Sequence, residues 1–183
     1  MNATIVTAPS GNTRLVVPVS GMGPAYHAFL NEFIAAGEEG LLHNLPEENE
    51  DPAECIRRLK EHKEGYADMS EDWVDCSAFW LLSGEEMLLG EVHIRHRLTP
   101  SLEDYGGNIG YMVRPGQRCR GHATRMLGMA LEKAREMGMK RVLLTCEPEN
   151  LASARVILKN GGRLISESVA RTGRLTSRYW IDL

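Results

Sequence analysis

Much that would narrow the function of this chain of 183 residues is missing from it. It has no excess of basic charge. The formal net charge is −4, which argues against a nucleic-acid surface, where a positive balance is usual. No segment approaches the roughly 18 consecutive apolar residues of a membrane helix. The first residues, "MNATIVTAPSGNTRLVV", lack a charged stretch followed by a long apolar run, so no secretory leader is expected. The four cysteines, Cys55, Cys76, Cys119 and Cys146, are scattered and form no CxxC pair. That pattern speaks against a zinc site and a disulfide framework, and it suits a reducing cytoplasm. Internal repeats and low-complexity linkers are also lacking. The length fits one domain over residues 1–183 better than two. With ordinary apolar and charged content, a packed core is expected.

What the chain does carry is periodicity. Leu15 to Val19 reads as a strand. Ala25 to Ala36 puts Tyr26, Phe29, Leu30, Phe33 and Ile34 on one helical face. An acidic loop, "EEGLLHNLPEENED", ends in Asp51-Pro52-Ala53-Glu54, a capping-box-like start with proline at the first helical position. The helix it opens turns Ile56, Leu59 and Tyr66 inward. "CSAFWLL" and "MLLGEVHIRHRL" read as strands about a hairpin turn at Ser83-Gly84-Glu85-Glu86, and "NIGYMV" as another. From Gly121 to Met137 the apolar residues follow an i, i+3, i+4, i+7 stripe, with Gly138 at the C-cap position. "RVLLTC" reads as a strand buried on both faces. A second short helix spans about Asn150 to Asn160, and "RLISESVA" and "TSRYWIDL" form an antiparallel pair around Thr172-Gly173. The strand–helix–strand middle requires a right-handed crossover and a parallel pair. With antiparallel hairpins on its flanks, this predicts a mixed sheet with helices on its faces, an α/β (mixed α+β) domain.

The chemistry concentrates in "VRPGQRCRGHATRML", where a strand ends, a basic turn follows and a helix begins. A helix N-terminus offers unpaired amides and a favourable dipole to an anion. Gly121 lets a backbone come close, and Arg118 and Arg120 add forked positive donors. Two familiar phosphate devices are excluded. Gly116 and Gly121 have the GxxxxG spacing of a nucleotide P-loop, but His122-Ala123 follows where Lys-Ser/Thr is required. The dinucleotide fingerprint GxGxxG is not present here.

The arrangement R-x-x-G-x-A, from Arg118 through Gly121 to Ala123, resembles the pyrophosphate-binding motif of the GNAT superfamily of acyl-CoA-dependent N-acyltransferases. "GYMVRPGQRCRGHATRMLGMALEKA" is similar to that family throughout. "ENLASARVILKNGG" resembles its second signature, an Asn, a Ser three residues later, then Lys and Gly. The likeness covers roughly Gly107 to Gly162. It implies a mixed, mostly antiparallel sheet of six to seven strands, with a central parallel pair splayed apart and about four flanking helices. The pantetheine arm of acetyl-CoA, the implied co-substrate, would lie in the splay. The main chain of Met112 and Val113 would bond the pantetheine. The amides of Arg118, Cys119, Arg120, Gly121, His122, Ala123 and Thr124 would wrap the pyrophosphate. Asn150 and Ser153 would approach the cofactor from the second helix, and Asn150 is equally a good helix N-cap. Arg155 and Lys159 suit either a ribose phosphate or a solvated helix face. Homodimers are common in the family.

The implied reaction, attack of an amine on a thioester, needs a general base, because an alkyl amine is mostly protonated at neutral pH. It also needs a donor aimed at the developing oxyanion, for which a strand-end amide near Met112 is expected. For the base, Glu91 and His96 are the candidates. Alternation along "GEVHIRH" puts Glu91, His93 and Arg95 on one face and His96 on the other, with the apolar Val92 and Ile94, on the side expected to be buried. Many family members carry an acidic Tyr four residues after the signature Ser. Here that position is Ile157; either no acid is required, since a thiolate is a fairly good leaving group, or Tyr111 or Cys146 substitutes. The acceptor implied is a small-molecule or peptide amine. The carboxylates of "GEEGLLHNLPEENEDPAE" either attract a cationic amine or form a solvated loop. No metal, nucleic acid or membrane partner is expected. The alternative is a non-catalytic acyl-CoA-binding sensor, motivated by Ile157.

Overall fold

A computed structural model describes residues 13–38, 50–60, 63–64, 73–84 and 86–183. Its first sheet contains β1 (Arg14–Val16), β2 (Lys63–Glu64), β3 (Val74–Leu82), β4 (Leu88–Arg95) and β5 (Ile109–Val113). They run in the order β1-β3-β4-β5, with β2 also paired to β3. A second sheet has the order β6-β8-β7, from β6 (Arg141–Cys146), β7 (Arg163–Val169) and β8 (Leu175–Asp182). The helices are α1 (Gly23–Ala35), α2 (Pro52–Lys60), α3 (Pro100–Asp104), α4 (His122–Glu136) and α5 (Leu151–Lys159). This is the mixed α/β class read from the pattern. Two very short strands, β1 and β2, bring the strand number above seven.

Side-chain alternation divides the first sheet into two faces. Phe79 and Leu81 of β3, Val92 and Ile94 of β4, and Ile109 and Val113 of β5 pack with Met126, Leu127, Ala130 and Leu131 of α4. Ala78, Trp80 and Leu82 pack instead with Tyr26, Phe29, Leu30 and Phe33 of α1 and Ile56 and Leu59 of α2. Glu91, His93 and Met112 share the second face by the same alternation.

The splay is visible as a missing ladder. β5 and β6 flank α4 in the chain, yet they meet at one end only. There Asn108 N donates to Leu143 O at 2.7 Å, and Leu143 N donates to Asn108 Oδ1 at 2.8 Å. Asn108 Nδ2 also donates to Arg95 O at 3.3 Å, which ties the junction back to β4. A single bridge between Gly107 and Leu144 completes the contact. Beyond it the strands share no ladder bond, so their facing edges keep main-chain donors and acceptors for something else.

Gly107 is required at this junction. Its φ is +65°, and an added Cβ would lie 2.4 Å from Leu143 O. Gly107→Ala is expected to destabilise the protein by about 3 kcal/mol through backbone strain and overpacking. Urea unfolding checks this, and an unchanged midpoint would contradict the close approach.

Three expectations need correction. β4 stops at Arg95, short of Leu98, because Thr99 opens a fifth helix, α3. Thr99 Oγ1 caps it by accepting from Leu102 N, with Pro100 in the first turn. The strand read over 15–19 is only Arg14–Val16. His96, expected on the buried side, is exposed, because it lies past the end of the ladder. The inward placement of Tyr66 and most of the acidic loop fall outside the described residues.

Candidate active site

The turn between β5 and α4 has the geometry of an anion seat. Pro115–Gln117 form a single 3-10 turn. Cys119 then takes φ 60° and Gly121 φ 79°, both left-handed. Gly121 is the N-cap of α4 and receives no side-chain cap. The first helical bond runs from Arg125 N to Gly121 O at 3.1 Å. The amides of His122, Ala123 and Thr124 therefore precede the helix's own acceptors. A Cβ on Gly121 would meet nothing within 4 Å, so the approach to these amides is open.

The arginines of the turn divide their work. Arg120 is exposed and makes no hydrogen bond or ion pair with any described residue. Arg118 donates from Nη1 to Glu38 Oε1 at 2.8 Å, and its guanidinium lies 5.6 Å from the Phe33 ring centre. That hydrogen bond holds the Glu38 carboxyl below its usual range. Arg114 donates from Nε to Glu32 Oε1 at 2.7 Å. Arg114 and Arg118 thus strap the turn to α1 and its end, and Arg118 offers an anion less charge than its sequence position suggests. Burial, with the charges of Arg125 and Arg120 adding to it, lowers the pKa of His122 below the ordinary histidine value, which keeps the ring neutral at pH 7.

A hydroxyl cluster stands beside the splay. Asn150 caps α5, its Oδ1 accepting from Ser153 N at 3.0 Å. Ser153 Oγ lies 2.9 Å from the Tyr111 hydroxyl, so β5 and α5 meet there. Burial pushes the Tyr111 phenol up to about 12. Cys146, on β6, bonds Ser153 and Tyr179, and burial raises its thiol pKa. Ile157 is fully buried and packs against Gly162, so α5 presents no acid at that position.

On the opposite face Glu91 is the Cα partner of Met112 on one side and of Trp80 on the other. It is 3% exposed. Oε2 accepts from Trp80 Nε1 at 2.8 Å, and Oε1 lies 3.0 Å from His93 Nε2. His96 is not part of this group, since its Nε2 sits 2.8 Å from Ser77 Oγ, beyond the strand end. The fold therefore brings Glu91 to Met112 and Tyr111 to Ser153, and it leaves His96 apart. Trp80 is the participant that sequence reasoning missed. The signal was the hairpin at Ser83, from which the register opposite Glu91 follows once the irregularity at Leu81/Leu82 is known.

The model of the acetyltransferase (GNAT) domain family matches residues 27–163. The chain belongs to this family and is by that membership an acetyltransferase. Solved structures with the same fold include a microcin self-immunity acetyltransferase in complex with acetyl-CoA and AMP. It is 12% identical with a TM-score of 0.63, over 95% of this chain and 94% of that one. A spermidine N-acetyltransferase mutant from Vibrio cholerae is 14% identical with a TM-score of 0.60, over 93% of each chain. A ribosomal alpha-N-protein acetyltransferase is 14% identical with a TM-score of 0.61, over 95% of this chain and 92% of that one. No protein of curated function matches the chain in sequence. Among the described residues no helix is long and apolar enough to cross a membrane.

Proposed function

We propose that this protein transfers the acetyl group of acetyl-CoA to a primary amine of a small molecule or peptide, by direct attack of the amine on the thioester. The observation that carries the reading is the β5–α4 turn, where an uncapped helix start at Gly121 opens beside β5, a strand laddered to β4 on one edge only. Amides from Cys119 to Thr124 hold the pyrophosphate, helped by the charge of Arg120, while the Arg118 amide closes the preceding turn on Pro115 O at 3.3 Å. The main chain of Val113 and Tyr111 faces the free edge of β5 and bonds the pantetheine and the oxyanion there, whereas Met112, in register with Glu91, turns its own N–H and C=O to β4. Asn150 and Ser153 border the cofactor at the start of α5.

Glu91 is the general base. With 3% exposure it reaches the ammonium group through an intervening water. The amine nitrogen attacks the thioester carbon, the carbon–sulfur bond breaks, the thiolate leaves, and the nitrogen's second proton passes to solvent, from which Tyr111 is later reprotonated. Tyr111, protonated at neutral pH and standing at the splay beside Ser153, supplies the thiolate's proton, although burial pushes the phenol up to about 12 and makes it a weaker acid. Tyr111→Phe is expected to lower kcat about 10-fold, with KM for acetyl-CoA little changed. Steady-state kinetics check this, and an unchanged kcat removes Tyr111 from the mechanism.

The sensor reading keeps one point in its favour, the absence of a hydroxyl at Ile157. Calorimetric titration with acetyl-CoA, with CoA and ATP as controls, tests the shared premise. Micromolar acetyl-CoA binding without an ATP response supports the cofactor assignment. Thiol release in the presence of a library of primary amines then separates enzyme from sensor. No acetyl-CoA binding would reduce the turn to a basic helix start.

We read residues 1–183 as one acyltransferase domain of the cytoplasm, without metal, nucleic-acid or membrane partner. The negative charge balance and the scattered cysteines support that reading. A homodimer is supported by the exposed Leu164, Ile165 and Val169 on the edge strand β7. A monomer mass in sedimentation would set the dimer aside.

A further inference from the structure

The Glu91 carboxylate is gripped from two sides in a buried place. Glu91 is 3% exposed and His93 4%. A carboxylate so buried stays charged only if donors replace its lost water. Trp80 Nε1, at 2.8 Å from Oε2, can only donate. The second neighbour is His93 Nε2, at 3.0 Å from Oε1. We infer that His93 is a positioning residue for the acetyl transfer: its Nε2 proton holds Oε1 while Trp80 holds Oε2, so the carboxylate is fixed in place. Each oxygen keeps a second lone pair for the proton leaving the amine.

This inference rests on the reading of Glu91 as base. Among the described residues, the other groups on that face are few. β4 adds Arg95, whose Nη1 donates to Gly106 O and Gly107 O, both at 3.1 Å, so its charge is turned toward the loop before β5. β3 adds Cys76, and α1 and α2 add Tyr26 and Cys55. The facing residues of β5, Gly110 and Met112, do not titrate.

His93→Leu is the test, with the kcat/KM pH profile as readout. Loss of a donor to a charged group should lower kcat by about 10- to 100-fold. It should also move the acidic limb of the profile upward, since the carboxylate has lost a donor. The acetyl-CoA Kd should not change. His93→Gln, whose amide N–H can donate, should recover most of kcat and return the limb toward its original place. His93→Met serves in place of leucine if the leucine variant does not fold. A uniform loss of activity at every pH, in the glutamine and apolar variants alike, would mean a packing role only and overturn the inference. So would an apolar variant with unchanged kcat and limb. Glu91→Gln separates the two readings. If it abolishes turnover while the His93 variants do nothing, the positioning role fails and the base stands. If Glu91→Gln retains full turnover, both fail.

Discussion

Gly121→Val should lose acetyl-CoA binding and keep its fold. The backbone at Gly121 has φ 79°, a conformation that a β-branched residue resists. That strain costs about 1–2 kcal/mol, which a packed domain of ordinary stability survives. The position of the new side chain matters more. The Cβ would project into space empty to 4 Å at the start of α4, on the turn proposed to seat the pyrophosphate. Excluding two charge-assisted bonds there removes about 3–6 kcal/mol, an affinity loss of at least about 100-fold. Calorimetric titration reads the binding, and far-UV circular dichroism reads the fold. Gly121→Ala, with a smaller side chain, should lose about 10-fold. A valine variant that binds as well as the parent would move the pyrophosphate seat away from α4.

The second large effect belongs to Glu91. Glu91→Gln keeps shape and removes the basic oxygen. Removal of a general base commonly lowers the rate by about 10²–10⁴-fold. That loss should fall on kcat and leave the acetyl-CoA Kd unchanged, because the residue faces the α1 side of the sheet. The acidic limb of the pH profile, which reports ionisation of the base, should vanish with it. A kcat within about 3-fold of the parent would transfer the role to another group.

The two sides of the site were not equally readable from sequence. The anion seat was legible because it is local. A glycine before a helical stripe, with small and basic neighbours, means the same thing wherever the chain goes next. The alternation of Glu91 and His93 against Val92 and Ile94 was also legible, since period two needs only the strand. The partners were not. Trp80 reaches Glu91 through a cross-strand register that shifts between Leu81 and Leu82. Arg118 reads as a free cation in sequence, and Glu38, 80 positions away, takes its fork. His96 was misjudged for a physical reason. Parity gave its side correctly, but burial also requires that the strand continue, and Thr99-Pro100 starts a helix too soon. That capping signal was present in the chain. The additional helix could have been found from it.

The straps between the turn and α1 have a thermodynamic consequence. Glu32 and Glu38 lie late in α1 and just past its end, and α1 also covers the sheet face that carries Glu91. A ligand that settles the turn therefore acts through Arg114 and Arg118 on the wall of the opposite compartment. Linkage makes such an influence mutual. Whatever factor the first occupant contributes to the second's affinity, the second returns to the first. If the turn and the Glu91 face hold the two substrates, that factor is the same whichever of them binds first.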